Sequence, residues 1–217
     1  MTRTGRLTAR RAVSLVAVLL LVGAAVVACS GEDGGSNWSI PAIGPPDVEV
    51  DTPELREAKA DAGIEDCPET TGDVTGELPT LTLECFGGGP SVDLSELRGP
   101  MVISVWAQWC TPCRNEMPEL EKYHQRYGDE VPVLGIDFQD PQADEAMDFL
   151  AETGATYPQL ADPGGVIDGA EPFPRLQGIP FLLFLDADGR VARKQFVIID
   201  SPDELKGLVE ENLGVSL

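Results

Sequence analysis

Two cysteines separated by two residues are the clearest chemical signal in the sequence. Cys110 and Cys113 lie in the segment WCTPC, directly after the apolar run MVISVWAQ and directly before the polar segment RNEMPELEKYHQRYG. Such a pair can supply two ligands to a zinc ion, form a structural disulfide, or open and close as a redox couple. Because the same pair has different roles in reducing and in oxidising compartments, the location of the chain helps to decide between them.

The residues around this pair predict a buried strand followed by a helix. MVISVWA is a nearly unbroken apolar run of strand length, as expected of a strand covered on both faces. The segment 112–128 has apolar or aromatic residues at helical spacing and ends at Gly128. Cys110 is therefore predicted at the first helical turn, where unpaired backbone N–H groups stabilise a thiolate. Cys113 lies one turn further along and is the predicted resolving thiol.

The N-terminal sequence predicts export. Residues 1–28 begin with arginines and no acid, continue as AVSLVAVLLLVGAAVVA and stop abruptly at Cys29, which is the pattern of a signal peptide. The apolar run is shorter than the roughly 20 residues of a spanning helix. The tetrad VVAC resembles a bacterial lipobox, in which the chain is cut before the cysteine and the cysteine receives lipid. An uncleaved anchor with an incidental Cys29 is the alternative. In both cases the remainder is expected outside the cytoplasmic membrane.

The charge of the chain excludes nucleic acid as a partner. There are 15 Lys and Arg residues against 37 Asp and Glu residues, so the formal net charge is −22. A nucleic-acid-binding surface requires the opposite sign. Because anionic lipid also repels an acidic surface, contact with the membrane is expected through the lipid on Cys29.

The remaining chain divides into a tether and one domain. Residues 29–66 are rich in Gly, Ser and Asp and then in Pro, which predicts a lipidated, flexible tether in which PELREAKADA is a candidate short helix. Residues 67–217 are about as many as one domain with a single core requires.

The pattern within the domain predicts a mixed sheet with helices on both faces. MVISVWA, the helix after it and the buried strand VPVLGIDF form a βαβ unit with a right-handed crossover. PQADEAMDFLAETG predicts a second helix, and FLLFLD and RVARKQFVII flank ADG as in an antiparallel hairpin. SPDELKGLVEENLG begins with an N-cap serine followed by proline, as a helix does.

The cysteines outside the motif predict a structural disulfide. Cys67 and Cys85 would tie the end of the tether to the first strand, with 17 residues between them. Two free thiols are disfavoured in an oxidising compartment. A four-cysteine zinc site is disfavoured because this second pair lacks the tight spacing of a zinc knuckle, so no metal is expected.

Three segments together resemble the thioredoxin superfamily and, within it, the membrane-tethered TlpA/ResA-like thiol-disulfide oxidoreductases. They are WAQWCTPCRNEMPEL (106–120), VLGIDFQD (133–140) and GIPFLLFLDADGRV (178–191). The W-C-x-P-C-x-x-E-x-P pattern is specific, and the likeness extends over about residues 76–215. The resemblance implies a thioredoxin-like three-layer α/β fold, with a mixed central β-sheet flanked by helices. It also implies an enzyme without a cofactor beyond the redox-active disulfide Cys110–Cys113.

The resemblance implies roles for further residues. Cys110 would be the exposed nucleophile, Cys113 its buried partner, and Pro180 a cis proline facing the disulfide. A trans proline that starts a strand is the alternative for Pro180. The predicted substrate contacts are Trp109, Thr111, Pro112 and Ile179.

Glu116 matches the active-site glutamate of that family. A partly buried carboxyl group one turn after Cys113 would have a raised pKa and could carry a proton to or from the thiols. A solvated acid favoured by the helix dipole is the alternative.

Two departures from ordinary thioredoxins stand out. Ser104 occupies the strand position where these carry a buried aspartate, which favours the specialised extracytoplasmic group. Residues 162–178 form a Gly/Pro-rich connection that could select substrates or be a surface loop. The single histidine, His124, is predicted to be a partly covered helix residue, and a metal role would need a later histidine, which the sequence lacks.

The leading hypothesis is a lipid-anchored thiol-disulfide oxidoreductase of the protein-disulfide reductase type at the extracytoplasmic face of a bacterial membrane. The Cys110 thiolate attacks a partner's disulfide, and Cys113 resolves the mixed disulfide. The resemblance implies electrons from a membrane thiol reductant and exported protein partners such as apocytochrome c, as in cytochrome c-type biogenesis. The same residues would serve a disulfide donor working in the opposite direction.

Two other classes remain as alternatives. A peroxiredoxin-like peroxidase needs a nucleophilic cysteine without an adjacent C-x-x-C partner, and rapid peroxide turnover would identify it. A non-catalytic thioredoxin-fold binding module would have structural disulfides alone. Full biological activity of a Cys110→Ser variant would identify that module.

Overall fold

The apolar run that precedes the cysteine pair forms a strand inside a mixed sheet. The computed structural model describes residues 47–70, 72 and 76–217. In chain order its elements are helix α1 (Pro53–Ala62), strands β1 (Thr82–Cys85), β2 (Val92–Asp93) and β3 (Met101–Trp106), helix α2 (Thr111–Tyr127), strand β4 (Val133–Phe138), helix α3 (Ala143–Thr153), strands β5 (Gln159–Asp162), β6 (Phe181–Leu185) and β7 (Val191–Gln195), and helix α4 (Pro202–Leu213).

The strands form one sheet in the order β2-β1-β5-β4-β3-β6-β7. β3 runs parallel to β4, and β4 runs parallel to β5, whereas the other neighbours are antiparallel. Every residue of β3, β4 and β6 is buried, as expected of strands covered on both faces. The predicted α/β class, the mixed sheet and the βαβ unit are therefore confirmed.

The four α-helices of the described residues cover one face of the sheet. Their buried side chains belong to one hydrophobic cluster, and none belongs to the cluster on the opposite face. The connections β3–α2–β4 and β4–α3–β5 cross the sheet in the same direction, so right-handed crossovers place both helices on the same side. This arrangement differs from the predicted helices on both faces.

The third layer consists of loop segments. Residues 163–180 cover the face without α-helices, with Ile167 and Phe173 fully buried there. The 3-10 turn Leu94–Glu96 contributes Leu94 to the same cluster. The connection 162–178 therefore contributes Ile167 and Phe173 to the core, while other parts of it, including Val166 and Gln177, are exposed at the surface.

The chain from residue 47 to residue 66 is folded onto the domain, which differs from the predicted flexible tether. Val50, Leu55 and Ile64 are buried in the cluster shared with the helices, and α1 packs against α3. Thr52 caps α1 by accepting a hydrogen bond from the N–H of Leu55 at 3.2 Å. Leu55 is the single large apolar residue of α1. The sequence of this helix therefore shows no apolar stripe that would indicate its packing against the domain.

The N-terminal predictions lie outside the described residues. The signal peptide over 1–28, the lipid on Cys29 and the tether from 29 to 46 all fall on this part of the chain. Within the described ranges, no helix is both long enough and apolar enough to cross a membrane.

We expect Leu55→Ala to lower the free energy of unfolding by about 2 to 3 kcal/mol, because it removes a side chain that is 2% exposed and leaves a cavity between α1 and α3. Urea denaturation followed by circular dichroism measures this loss. Glu57→Ala on the exposed side of the same helix is the matched control, with an expected change within about 0.5 kcal/mol. Equal effects of the two substitutions would show that this segment is a tether after all.

Candidate active site

The two motif cysteines lie at the N-terminus of α2 and form a disulfide. Cys110 is the N-cap residue, Cys113 lies in the first turn, and their Cα atoms are 5.3 Å apart. The N–H of Cys113 donates to the Sγ of Cys110 at 3.2 Å. This hydrogen bond and the positive end of the helix dipole favour a thiolate at Cys110 once the disulfide is reduced.

Cys110 is more covered than the resemblance implied. It is 4% exposed and Cys113 is 1% exposed, so both residues are largely covered in the oxidised state. The carbonyl oxygen of Ile179 lies 3.5 Å from the Sγ of Cys110 and accounts for part of the cover. The peptide bond between Ile179 and Pro180 is cis, and Pro180 is buried. The alternative of a trans proline at this position is therefore wrong.

The turn after β4 fastens the loop that precedes Cys110. A carboxylate oxygen of Asp140 accepts a hydrogen bond from the N–H of Gln108 at 2.9 Å. The indole N–H of Trp109 donates to the carbonyl oxygen of Gln139 at 3.2 Å. Asp140 was not predicted as a site residue, although its place directly after a buried strand is a usable signal. These two contacts set the position of the loop relative to the sheet.

The two tryptophans of the motif differ in environment. Trp106 is buried in the core, and its indole N–H donates to the side-chain oxygen of Gln159 at 2.9 Å. Trp109 is 52% exposed beside the disulfide. The exposure of Trp109 is compatible with its predicted role as a substrate contact, whereas Gln159 could not be found from the sequence because β5 was not predicted.

Glu116 is buried beneath the disulfide, one helical turn after Cys113. It is 1% exposed, and its carboxylate accepts a hydrogen bond from the N–H of Ile199 at 2.9 Å. Burial raises the pKa of Glu116 to about 8, against the lowering effect of this hydrogen bond, and the charge of Glu204 raises it further. The alternative of a solvated first-turn acid is therefore wrong.

A second buried acid lies on β4 rather than on β3. Ser104 is buried, and its Oγ has no hydrogen-bond partner among the described residues. Asp137 lies opposite Trp106 in the neighbouring strand and is 3% exposed. Burial raises the pKa of Asp137 well above its ordinary value, and the charges of Asp140 and Asp162 add to the effect. Burial therefore favours the protonated form of Asp137.

An apolar groove of about 610 Å³ opens next to the disulfide. Its lining residues are Pro112, Gln177, Gly178, Ile179, Pro180, Phe196, Val197 and Ile198. Phe196 and Ile198 are large apolar side chains that are exposed to solvent. Two of the four predicted substrate contacts, Pro112 and Ile179, thus line the groove. Trp109 and Thr111 are exposed but do not line it.

The second cysteine pair is also a disulfide. Cys67 and Cys85 have Cα atoms 5.8 Å apart, and both residues are buried. The bond joins the segment after α1 to the end of β1.

The described residues contain no group of three or more His, Cys, Asp or Glu side chains arranged to hold a metal ion. His124 is buried, and its Nδ1 accepts a hydrogen bond from the N–H of Val133 at 3.3 Å. Its Nε2 lies 3.0 Å from a carboxylate oxygen of Glu65. The histidine thus joins α2, β4 and the segment after α1.

Comparison with known proteins places this site among thiol-disulfide proteins. A model of the AhpC/TSA family matches residues 74–208. The chain is 33% identical over 120 residues to the thiol:disulfide interchange protein HelX of Rhodobacter capsulatus, which is 53% of this chain and 63% of HelX. More than a third of HelX therefore has no counterpart in the match.

Two solved structures are similar over most of the domain. The structure of MTB dsbF in its mixed oxidized and reduced forms has a TM-score of 0.54 and 26% identity, over 64% of this chain and 98% of that one. A secreted thiol-disulfide isomerase from Corynebacterium glutamicum has a TM-score of 0.54 and 25% identity, over 68% of this chain and 99% of that one.

We expect Glu116→Gln to stabilise the oxidised protein increasingly between pH 5 and pH 8. The folded state holds the proton of Glu116 up to about pH 8, whereas an unfolded glutamate loses it near its ordinary pKa of 4.5. Folding therefore becomes less favourable as the pH rises through this window, and glutamine does not have this cost. The gain is expected to reach about 4 kcal/mol at pH 8, from about 1.4 kcal/mol for each pH unit.

Urea denaturation at several pH values checks this difference. Glu119→Gln in the same helix is the control, because Glu119 is partly exposed. Parallel stability curves for the wild type and Glu116→Gln would contradict the buried, protonated state of Glu116.

Proposed function

Because this chain belongs to the AhpC/TSA family and has a thioredoxin-like fold, we propose that it is a thiol-disulfide oxidoreductase whose reactive group is the Cys110–Cys113 disulfide. One observation carries the proposal. The disulfide lies at a helix N-terminus, where a backbone N–H already points at the sulfur of Cys110, and it borders an apolar groove. Neither feature is needed by a disulfide that is purely structural.

The reaction needs no group beyond the two cysteines. The Cys110 thiolate attacks one sulfur of a partner's disulfide, forms a mixed disulfide and releases the partner's other sulfur as a thiolate, which takes up a proton. The Cys113 thiol loses its proton and attacks the Sγ of Cys110. The products are the Cys110–Cys113 disulfide and a partner with two thiols, so two electrons pass to the partner. We propose accordingly that the enzyme works without a cofactor.

Glu116 is placed to handle the proton of Cys113. It lies one turn further along α2, and its pKa of about 8 is close to the pH at which such a transfer would operate. A carboxyl group with a pKa near ambient pH can accept the proton when Cys113 attacks and return it when the disulfide opens. The buried site keeps water from competing for this role.

The groove supports a protein partner with an extended, apolar segment next to its cysteine. The lining of the groove includes Gly178, Ile179, Phe196 and Ile198, and the disulfide lies at its border. Apolar contacts give a groove of this kind its affinity, while exposed backbone groups orient an extended chain.

We assign the protein to the extracytoplasmic face of a bacterial membrane, held by a lipid on Cys29. The N-terminal signal pattern and the lipobox-like tetrad support this location. The Cys67–Cys85 disulfide is typical of an oxidising compartment, and the similar protein from C. glutamicum is described as secreted.

The reducing direction is our preferred assignment. Once Glu116 loses its proton near pH 8, its charge one helical turn from Cys113 opposes a second negative charge, which disfavours the reduced, thiolate-containing form. A pair with a less stable reduced form is the better reductant. Electrons would come from a membrane thiol reductant, and exported proteins such as apocytochrome c would receive them.

One observation favours the opposite direction, that of a disulfide donor. The N–H of Cys113 and the helix dipole stabilise a thiolate at Cys110, and a stabilised reduced form makes the disulfide more oxidising. The balance between this effect and that of Glu116 sets the direction of electron flow.

We expect Cys113→Ser to accumulate a mixed disulfide, because Cys110 can still attack while nothing resolves the product. The reduced full-length variant is incubated with insulin as a disulfide-bonded probe, and adducts are mapped by non-reducing mass spectrometry. A covalent adduct at Cys110 is the expected product. Cys110→Ser is the matched control and should form at least tenfold less adduct. Equal adduct formation by the two variants, or none by Cys113→Ser, would contradict the proposed roles.

A further inference from the structure

A buried lysine lies against the second disulfide, far along the chain from the motif. The Nζ of Lys59 is 3.3 Å from the Sγ of Cys85, and the lysine side chain is 6% exposed. Lys59 belongs to α1, the helix whose docking against the domain the sequence did not predict. The contact between an amine and a disulfide sulfur plays no part in the chemistry of Cys110 and Cys113.

The surroundings of this lysine match a charged ammonium group. Its three protons have three acceptors: the carbonyl oxygen of Gly88 at 2.7 Å, the sulfur of Cys85 at 3.3 Å and a carboxylate oxygen of Asp66 at 3.4 Å. The acid of this set, Asp66, has a side chain that is 90% exposed and lies at the longest of the three distances. Solvent screens such a partner, so the buried groups that receive the positive charge are the carbonyl oxygen of Gly88 and the sulfur of Cys85.

A surface pocket borders Lys59, although its lining includes neither cysteine of this disulfide. It has a volume of about 460 Å³, and its lining includes Lys59, Asp66 and Gly87, Gly88 and Gly89. Asp66 directly precedes Cys67. A Cβ atom at Gly89 would lie 3.2 Å from the sulfur of Cys85 and 3.7 Å from the Nζ of Lys59. The glycine backbone therefore leaves open a space beside the sulfur that any side chain would occupy.

From this geometry we propose that Cys67–Cys85 is a second reducible disulfide, in which Lys59 holds Cys85 as a thiolate and the reductant is a low-molecular-weight thiol. Cys67 and Cys85 are 4% and 2% exposed, and neither lies at the apolar groove beside Cys110, so we assign a small thiol as the reductant. This second disulfide is separate from the groove beside Cys110, and the proposal for it does not depend on the function proposed for Cys110 and Cys113.

The reduction takes two thiols. The first, as a thiolate, attacks the sulfur of Cys67, the disulfide bond breaks, and Cys85 leaves as a thiolate paired with the Lys59 ammonium. A leaving thiol with a cation beside it leaves faster. The second thiolate attacks the sulfur of the small thiol that is bound to Cys67. The mixed disulfide breaks, a small-molecule disulfide is released, and Cys67 leaves as a thiolate. Cys67 then takes up a proton and can donate it to the carbonyl oxygen of Gln159, which lies 3.2 Å away.

We expect Lys59→Met to make this disulfide about tenfold harder to reduce, which corresponds to about 30 mV. The measurement uses the full chain with Cys110→Ser and Cys113→Ser, equilibrated in graded dithiothreitol buffers. Free thiols are alkylated, and the peptides that contain Cys67 and Cys85 are quantified separately by mass spectrometry. Lys206→Met, which removes a lysine of α4 that pairs with Glu210, is the matched control and should leave the equilibrium unchanged. Circular dichroism checks the fold of each variant.

A second readout needs no substitution of the lysine. In the reduced protein, the alkylation rate of Cys85 should titrate at least one pH unit below the ordinary thiol value of about 8.5, whereas that of Cys67 should not. Equal reduction equilibria with and without Lys59, or ordinary titration of both thiols, would overturn the proposal. Reduction that occurs in step with the loss of the circular dichroism signal would do the same, because the bond would then be purely structural.

Discussion

The hydrogen bond from the N–H of Cys113 to the sulfur of Cys110, 3.2 Å long, is the contact on which the site depends. It exists because β3 ends just before the motif, so that Cys110 becomes the N-cap of α2. Asp140 holds the loop between strand and helix, and the backbone of Ile179 covers the sulfur from the other side. Each of these neighbours comes from a different strand end: β3 and β4 are parallel, so their last residues meet at one edge of the sheet, and β6 is antiparallel to β3, so its first residue lies at the same edge.

Two electrostatic influences act on the pair in opposite directions. The helix N-terminus stabilises a thiolate at Cys110, whereas Glu116, once ionised, opposes negative charge at Cys113. The second disulfide has a lysine in place of the acid, since Lys59 lies against Cys85.

The parts of the fold that depend on local pattern could be predicted from the sequence. The apolar run 101–106 and Pro112 locate the start of α2, and the serine before Pro202 locates the start of α4. The rest depends on tertiary contacts that leave little local trace. Helix α1 docks through one large apolar residue, Leu55, and β5 is a short strand held by its neighbours. The roles of Lys59 and Gln159 follow from these elements, so they too became visible in the structure alone.

The equilibrium reduction potential of the Cys110–Cys113 pair tests the central claim most directly. It is measured in the full chain, in graded thiol buffers, by alkylation and mass spectrometry of the peptide that contains both cysteines, with circular dichroism recorded in parallel. Reduction of the folded protein at about −230 mV or below is the result predicted for a reductase. A potential near about −120 mV would contradict the reducing direction and identify a disulfide donor. Reduction that requires unfolding would contradict the redox role itself.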